Sequence, residues 1–298
     1  MRSAWLAGAI VLAACASCRR AAPPPTEPTG KPLAFVSILP QAEFVQRVGG
    51  ERVDVAVLLP PGQSPATYEP TPRQMAKLGR AQVYFRIRVP FERALLRKIA
   101  TTMPKLNIVD TRQGIKLRRM AAKHEHDHDH AAGAPDPHIW LDPKRVKIQA
   151  RTIANALAAL APEHAAELEK NLQSFQAELD RLDAKIAATL APLRGRELFV
   201  FHPAYGYFAD AYGLKQVAVE LEGKEPSARA LGALIERAKA KRVRVLFVQP
   251  QFSSKAATTV ARAIGGAVVP MDPLARDYMA NLESMAASVR TALGEGTP

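Results

Sequence analysis

Cysteine is nearly absent from this chain. Its 298 residues hold two, Cys15 and Cys18, and none from Leu33 onward. The body therefore has no disulfide, no thiolate metal ligand and no cysteine nucleophile, which excludes zinc-finger-type structural sites. Acidic residues are the minority charge, 28 against 41 Lys and Arg, for a formal net charge of +13. Such a balance raises nucleic acid as a partner. Lys and Arg, however, are scattered along amphipathic stretches rather than clustered with aromatics, and the N-terminus argues for export. The expectation is no nucleic acid, and a solvated basic surface facing anionic lipid headgroups. A helical H-E-x-x-H, the signature of one class of zinc hydrolase, is also missing.

What is present begins with an export signal. Arg2 supplies the positive start, and the apolar run Ala4–Ala14 is too short to anchor as a membrane span. It ends in Leu12-Ala13-Ala14-Cys15, which resembles the bacterial lipobox, where cleavage leaves a cysteine that is then lipid-modified. Residues 1–14 are read as a lipoprotein signal peptide and Cys15 as the lipidation site. Residues 15–31, rich in proline, form a semi-rigid tether of about 3 Å per residue, enough to hold the body roughly 40 Å from a lipid bilayer. The expected location is periplasmic or cell-surface, membrane-anchored.

From Leu33 onward short apolar runs alternate with helical stretches. The first four are Leu33–Leu39, Val53–Leu59, Gln82–Ile87 and Leu106–Val109; the second four are Leu198–Phe201, Gln216–Val219, Val243–Val248 and Ala267–Val269. Alternation of this kind predicts βαβ units with parallel sheets, in two α/β lobes, 32–160 and 195–298. Between them, in 161–194, Leu168, Leu172, Phe175, Leu179, Leu182, Ile186 and Leu190 recur every three or four residues. They make one apolar stripe, opened by Pro162 and stopped by Pro192 and Gly195. A helix of about 45 Å results, long enough to run beside both lobes. The repeat covers too few heptads for a dimerisation rod, so a rigid strut in a monomer is expected.

Five of the seven histidines fall between His124 and His138. His124, His126, His128 and His130 alternate with acids in the loop 123–131, whose run 123–130 has no apolar residue a core could use. Such a tract can offer several imidazoles to a borderline cation such as Zn²⁺. Three further segments look unlike mere connectors: Asp136-Pro-His-Ile-Trp-Leu-Asp-Pro143, Phe201-His-Pro-Ala-Tyr-Gly-Tyr-Phe208 and Pro270-Met-Asp-Pro-Leu274. His202 and Asp272 follow strands, at the carboxyl ends where open α/β sheets bind ligands, and His138 would meet them from the other lobe. Two imidazoles and a carboxylate suit Zn²⁺, or Mn²⁺ with added oxygen ligands.

Together these segments carry a resemblance that spans nearly all of Leu33 to Leu293. The chain resembles the zinc and manganese solute-binding receptors of bacterial ABC importers, with their long backbone helix. Pro61-Gly-Gln-Ser-Pro-Ala-Thr-Tyr-Glu-Pro70 is similar to the family's G-x-x-P-H-x-Y loop, and the three segments above are similar to its other ligand motifs. The resemblance implies His138, His202 and Asp272 as ligands in a metal cleft between the lobes, delivery to an ABC permease, and no enzymatic activity. Two positions depart from the pattern. Ala66 stands where the family places its first histidine, and Gln249 stands where many relatives have Glu. The open position could be filled by water, by Gln63, Glu69 or Glu222, or by the tract. Three ligands plus water is also the pattern of a catalytic zinc site, so a zinc hydrolase is the alternative. An adhesin-like lipoprotein with a degenerate metal site is a third reading.

Overall fold

The computed structural model describes residues 30–120, 134–218, 228–240, 243–252 and 254–294. The histidine tract, Cys15 and Glu222 lie outside them.

The eight apolar runs become eight strands: β1 (Leu33–Val36), β2 (Asp54–Val57), β3 (Val83–Arg86), β4 (Asn107–Asp110), β5 (Glu197–Val200), β6 (Lys215–Ala218), β7 (Val245–Val248) and β8 (Ala267–Pro270). They form two four-stranded parallel sheets, ordered β2-β1-β3-β4 and β6-β5-β7-β8. The two orders are the same, so each sheet reverses direction of winding once, between β1 and β3 and between β5 and β7. At such switch points the loops leaving adjacent strands diverge and open a crevice.

Helices connect the strands. In the first half they are α1 (Leu39–Gly49), α2 (Pro72–Leu78) and α3 (Glu92–Thr102), then α4 (Pro143–Leu160). The linking helix α5 (Ala165–Leu190) follows, and α6 (Gly206–Tyr212), α7 (Ala228–Ala240), α8 (Ser254–Ala263) and α9 (Tyr278–Gly294) serve the second sheet. The run Leu33–Leu39 ends as a strand at Val36, and Leu39-Pro40 instead opens α1, where proline at the first turn loses no hydrogen bond.

All seven residues of the predicted stripe on α5 are buried. Pro162 opens a single 3-10 turn, Pro162–His164, rather than α5 itself, and a second such turn, Ala191–Leu193, closes the span. One end of α5 is tied to the first half of the chain: Asn171 Nδ2 donates to the Val48 carbonyl at 3.1 Å, and Arg52 pairs with Glu167 at 2.9 Å. The other end is tied to the second half, where Tyr212 Oη donates to Asp183 at 3.2 Å and Lys185 pairs with Glu283 at 2.5 Å. The stripe joins a core that runs continuously through both halves, from Phe35 and Phe85 to Phe208 and Leu282. A smaller cluster around Phe201, Leu246 and Val260 covers the second sheet. Residues 31–298 therefore form one compact unit.

Candidate metal centre

The switch points of the two sheets supply the walls of one cavity of about 280 Å³. From the first sheet comes the loop after β3, with Arg88 and Val89; from the second come His202, after β5, and Gln249, after β7. His138, from the segment before α4, completes the pair of imidazoles. The two rings lie edge to face, centroids 5.5 Å apart.

His138 is held by its own chain. Asp136 is buried, and its Oδ1 accepts from the His138 backbone N–H at 3.0 Å and from His138 Nδ1 at 2.7 Å. A carboxylate on Nδ1 fixes the tautomer and leaves the Nε2 lone pair for a metal, the arrangement common to zinc histidines. Arg118 Nη1 reaches the other Asp136 oxygen at 3.3 Å, and its Nε reaches Asp210 at 3.1 Å. A Cβ at Gly206 would fall 1.0 Å from Arg118 Nη1, so any other residue there would displace the guanidinium from this contact. Tyr207 Oη accepts from the Arg118 backbone N–H at 2.9 Å and donates to the Asp136 carbonyl at 3.1 Å. A helix of the second sheet thereby braces the segment that carries His138.

His202 is framed by the Gln249 amide, whose Nε2 donates to the His202 carbonyl at 3.1 Å. Its ring lies 5.3 Å from that of Phe252, as His138 lies 5.2 Å from Trp140. The Trp140 indole donates to the Pro273 carbonyl at 2.7 Å, and Tyr205 Oη to the Met271 carbonyl at 2.5 Å. Burial, with the Asp272 charge beside it, pushes the Tyr205 phenol well above its ordinary value and keeps it a neutral donor.

Asp272 is placed differently from the two histidines. Its Oδ1 accepts from Gln251 Nε2 at 2.8 Å and from the Leu274 N–H at 2.9 Å, and it lines an adjoining cavity of about 200 Å³ with Gln63. Gln251 lines both cavities and stands between them. Among the described residues, no group of three His, Cys, Asp or Glu is close enough to hold one ion. His138 and His202 are thus brought together, Asp272 is not, and Ala66 lines the cavity with them. Glu69 lines neither cavity. The donor set fits a borderline cation as two imidazoles with open positions.

The described residues on either side of 121–133 meet at this same wall. Met120 N donates to the Ala134 carbonyl and Asp136 N to the Arg118 carbonyl, both at 2.9 Å, and Met120 and Ala134 line the cavity.

Sequence spacing did not reveal Arg88, a non-glycine residue at φ 71°. Its loop is held by Glu92, fully buried, which accepts from Ile87 N–H at 2.9 Å, Arg88 N–H at 2.7 Å and Ser37 Oγ at 2.5 Å. Burial is the largest influence on Glu92 and raises its pKa above the ordinary carboxylate value.

Two parallel sheets of like order, one linking helix and a histidine pair lining the cavity at their switch points define a two-lobed α/β binding protein. Over residues 35–292 the chain matches the family described as ZnuA, zinc-uptake complex component A, periplasmic. The chain belongs to that family. It is 32% identical to the high-affinity zinc uptake system protein ZnuA of Bacillus subtilis, over 76% of this chain and 73% of that one. A putative metal-binding protein of Chlamydia muridarum is 29% identical over 87% of this chain and 90% of its own length. Among solved structures, a crystal structure of ZnuA is similar at a TM-score of 0.81 and 41% identity, covering 88% of this chain and 99% of that one. A deletion mutant of ZnuA with zinc bound is similar at 0.82 and 39%, covering 90% and 100%.

Proposed function

We propose that the protein is the extracytoplasmic zinc receptor of an ABC importer, with His138 and His202 as its zinc ligands. The observation that carries this reading is the meeting of two imidazoles from the two halves of the chain in one cavity, with Asp136 holding His138 Nδ1. Zinc rather than manganese is the cargo, because the site offers nitrogen donors and no cluster of carboxylates among the described residues. A ligand held by both sheets ties them in one geometry, which a permease in the cytoplasmic membrane can read. The tract 123–131 collects zinc for the cleft, a reading supported by Met120 and Ala134, the nearest described residues on either side of it, which line the cavity. Lipid on Cys15 and the tether 15–31 keep the receptor, a monomer, at the membrane. Among the described residues no helix is long and apolar enough to cross it.

Calorimetry on protein lacking 123–131 tests the site. One tight zinc is expected, and His138→Ala or His202→Ala is expected to weaken it at least a hundredfold. Unchanged affinity in both variants means that the cleft is not the site.

A further inference from the structure

We propose that the outer face of the first sheet, made by α2 and α3, is a docking surface for an anionic lipid bilayer. The inference is independent of the zinc site and goes beyond the lipid anchor proposed above, since it concerns the folded body. Three observations carry it.

The first is where the helices lie. With the strands ordered β2-β1-β3-β4, right-handed crossovers put α1 on one face of the sheet and α2 and α3 on the other. α1 packs against α4 and α5. The ends of α2 and α3 are neighbours, since a Cβ at Gly79 would meet the Met103 side chain at 3.6 Å. Met75 and Leu78 on α2, with Leu95 and Ile99 on α3, are buried against the sheet, which leaves the far side of both helices to solvent.

The second is charge of one sign. Between Thr71 and Leu106 the sole acid is Glu92, which is fully buried. Arg73 and Lys77 on α2, Arg80 just beyond it, and Arg93 and Arg97 on α3 are all exposed. Among the described residues none of them pairs with an acid, whereas on the α1 side Arg52 meets Glu167 at 2.9 Å and Lys147 meets Asp180 at 2.6 Å. Like charges four residues apart destabilise a helix, so the fold itself has no use for these rows. They suit a polyanion. The aromatic residues of the stretch, Tyr84, Phe85 and Phe91, are buried, so the face offers no ring on which a nucleic-acid base could stack. A flat anionic surface needs none.

The third is where the chain enters the body. Gln82 Oε1 accepts from the Leu33 N–H at 2.7 Å, its own N–H donates to the Leu33 carbonyl at 3.0 Å, and its Nε2 donates to the Arg80 carbonyl at 3.0 Å. The start of β1 is thereby stitched to the end of α2, and the proposed tether joins the body beside this face. Each Lys or Arg near an anionic surface strengthens binding roughly fivefold, and a tether supplies the high local concentration that lets a few such contacts act together. None of these cations lines the zinc cavity, so docking leaves the cleft free.

Cosedimentation with lipid vesicles tests this, using full-length protein carrying Cys15→Ser so that no lipid is attached. Equimolar phosphatidylglycerol and phosphatidylcholine is compared with phosphatidylcholine alone, since an apolar leader would partition alike into both. Binding to the anionic vesicles is expected to be tighter by about tenfold or more, and to weaken as salt rises. Arg73→Gln, Lys77→Gln, Arg93→Gln and Arg97→Gln combined are expected to weaken it by about tenfold or more. The same exchange at Lys170, Arg181, Lys215 and Arg290, exposed cations of α5, β6 and α9, is expected to change it by less than about threefold. Unchanged zinc affinity shows that both variants are folded. Equal losses in the two variants, or equal binding to the two kinds of vesicle, would overturn the docking face and leave the lipid anchor and the zinc reading as they stand. Capture of a DNA duplex through the same four cations, without binding to anionic vesicles, would overturn it too.

Discussion

At the scale of single residues, the proposed site depends on a buried carboxylate that holds a histidine rather than the metal. Asp136 accepts both the backbone N–H and Nδ1 of His138 and is met by Arg118 from behind. Asp136→Asn presents a carboxamide of similar shape with weaker hold on Nδ1–H, and is expected to lower zinc affinity about 10- to 100-fold. Calorimetry would measure this, and unchanged affinity would show that His138 is positioned by packing alone. Glu92 makes a second residue-scale case. Its raised pKa means that the folded protein holds the proton more tightly than the unfolded chain. Its contribution to stability is therefore fullest below the unfolded value, about pH 4.3, and declines as pH rises through the raised folded value. Glu92→Gln removes an acceptor from Arg88 N–H and is expected to cost about 1–3 kcal/mol, more at acid pH than at neutral pH. Urea unfolding at two pH values decides it. His138 and His202 were legible because their flanking prolines and aromatics mark them out. Arg88 was not, because a left-handed backbone at an arginine has no signature in spacing.

At the scale of elements, α5 decides whether the two halves act together. Its stripe was readable because apolar residues at every third or fourth position have no other use in a polar helix, and each of the seven proved buried. Leu179, fully buried near its middle, is the sensitive position. Leu179→Ala is expected to cost about 2–5 kcal/mol, with both halves unfolding in one transition. A urea melt showing two separate transitions would mean that the helix links independent domains. The strands were legible as well, each as a short Val-, Ile- or Phe-rich run. Their order was not. His202 and Asp272 both follow a strand in sequence, but β5 lies at the switch point whereas β8 lies at the sheet edge. That difference separates a residue facing the shared cavity from one facing its neighbour, and it arises from long-range pairing that local patterns do not encode.

At the scale of the whole molecule, the proposed lipid on Cys15 would hold the receptor against an anionic membrane, which a body of net positive charge suits. In an exporting host, Cys15→Ser is expected to move the protein from the membrane to the soluble fraction, read by fractionation and by loss of lipid mass at the N-terminus. Retention in the membrane would point to some other anchor. The central claim is that the two histidines hold zinc between the sheets. Anomalous diffraction at the zinc edge, from crystals of the zinc-loaded full-length protein, tests it most directly. A peak about 2.0–2.1 Å from an imidazole nitrogen of both His138 and His202 is the expected result. A cavity without a peak, with zinc found only elsewhere on the chain, would contradict it.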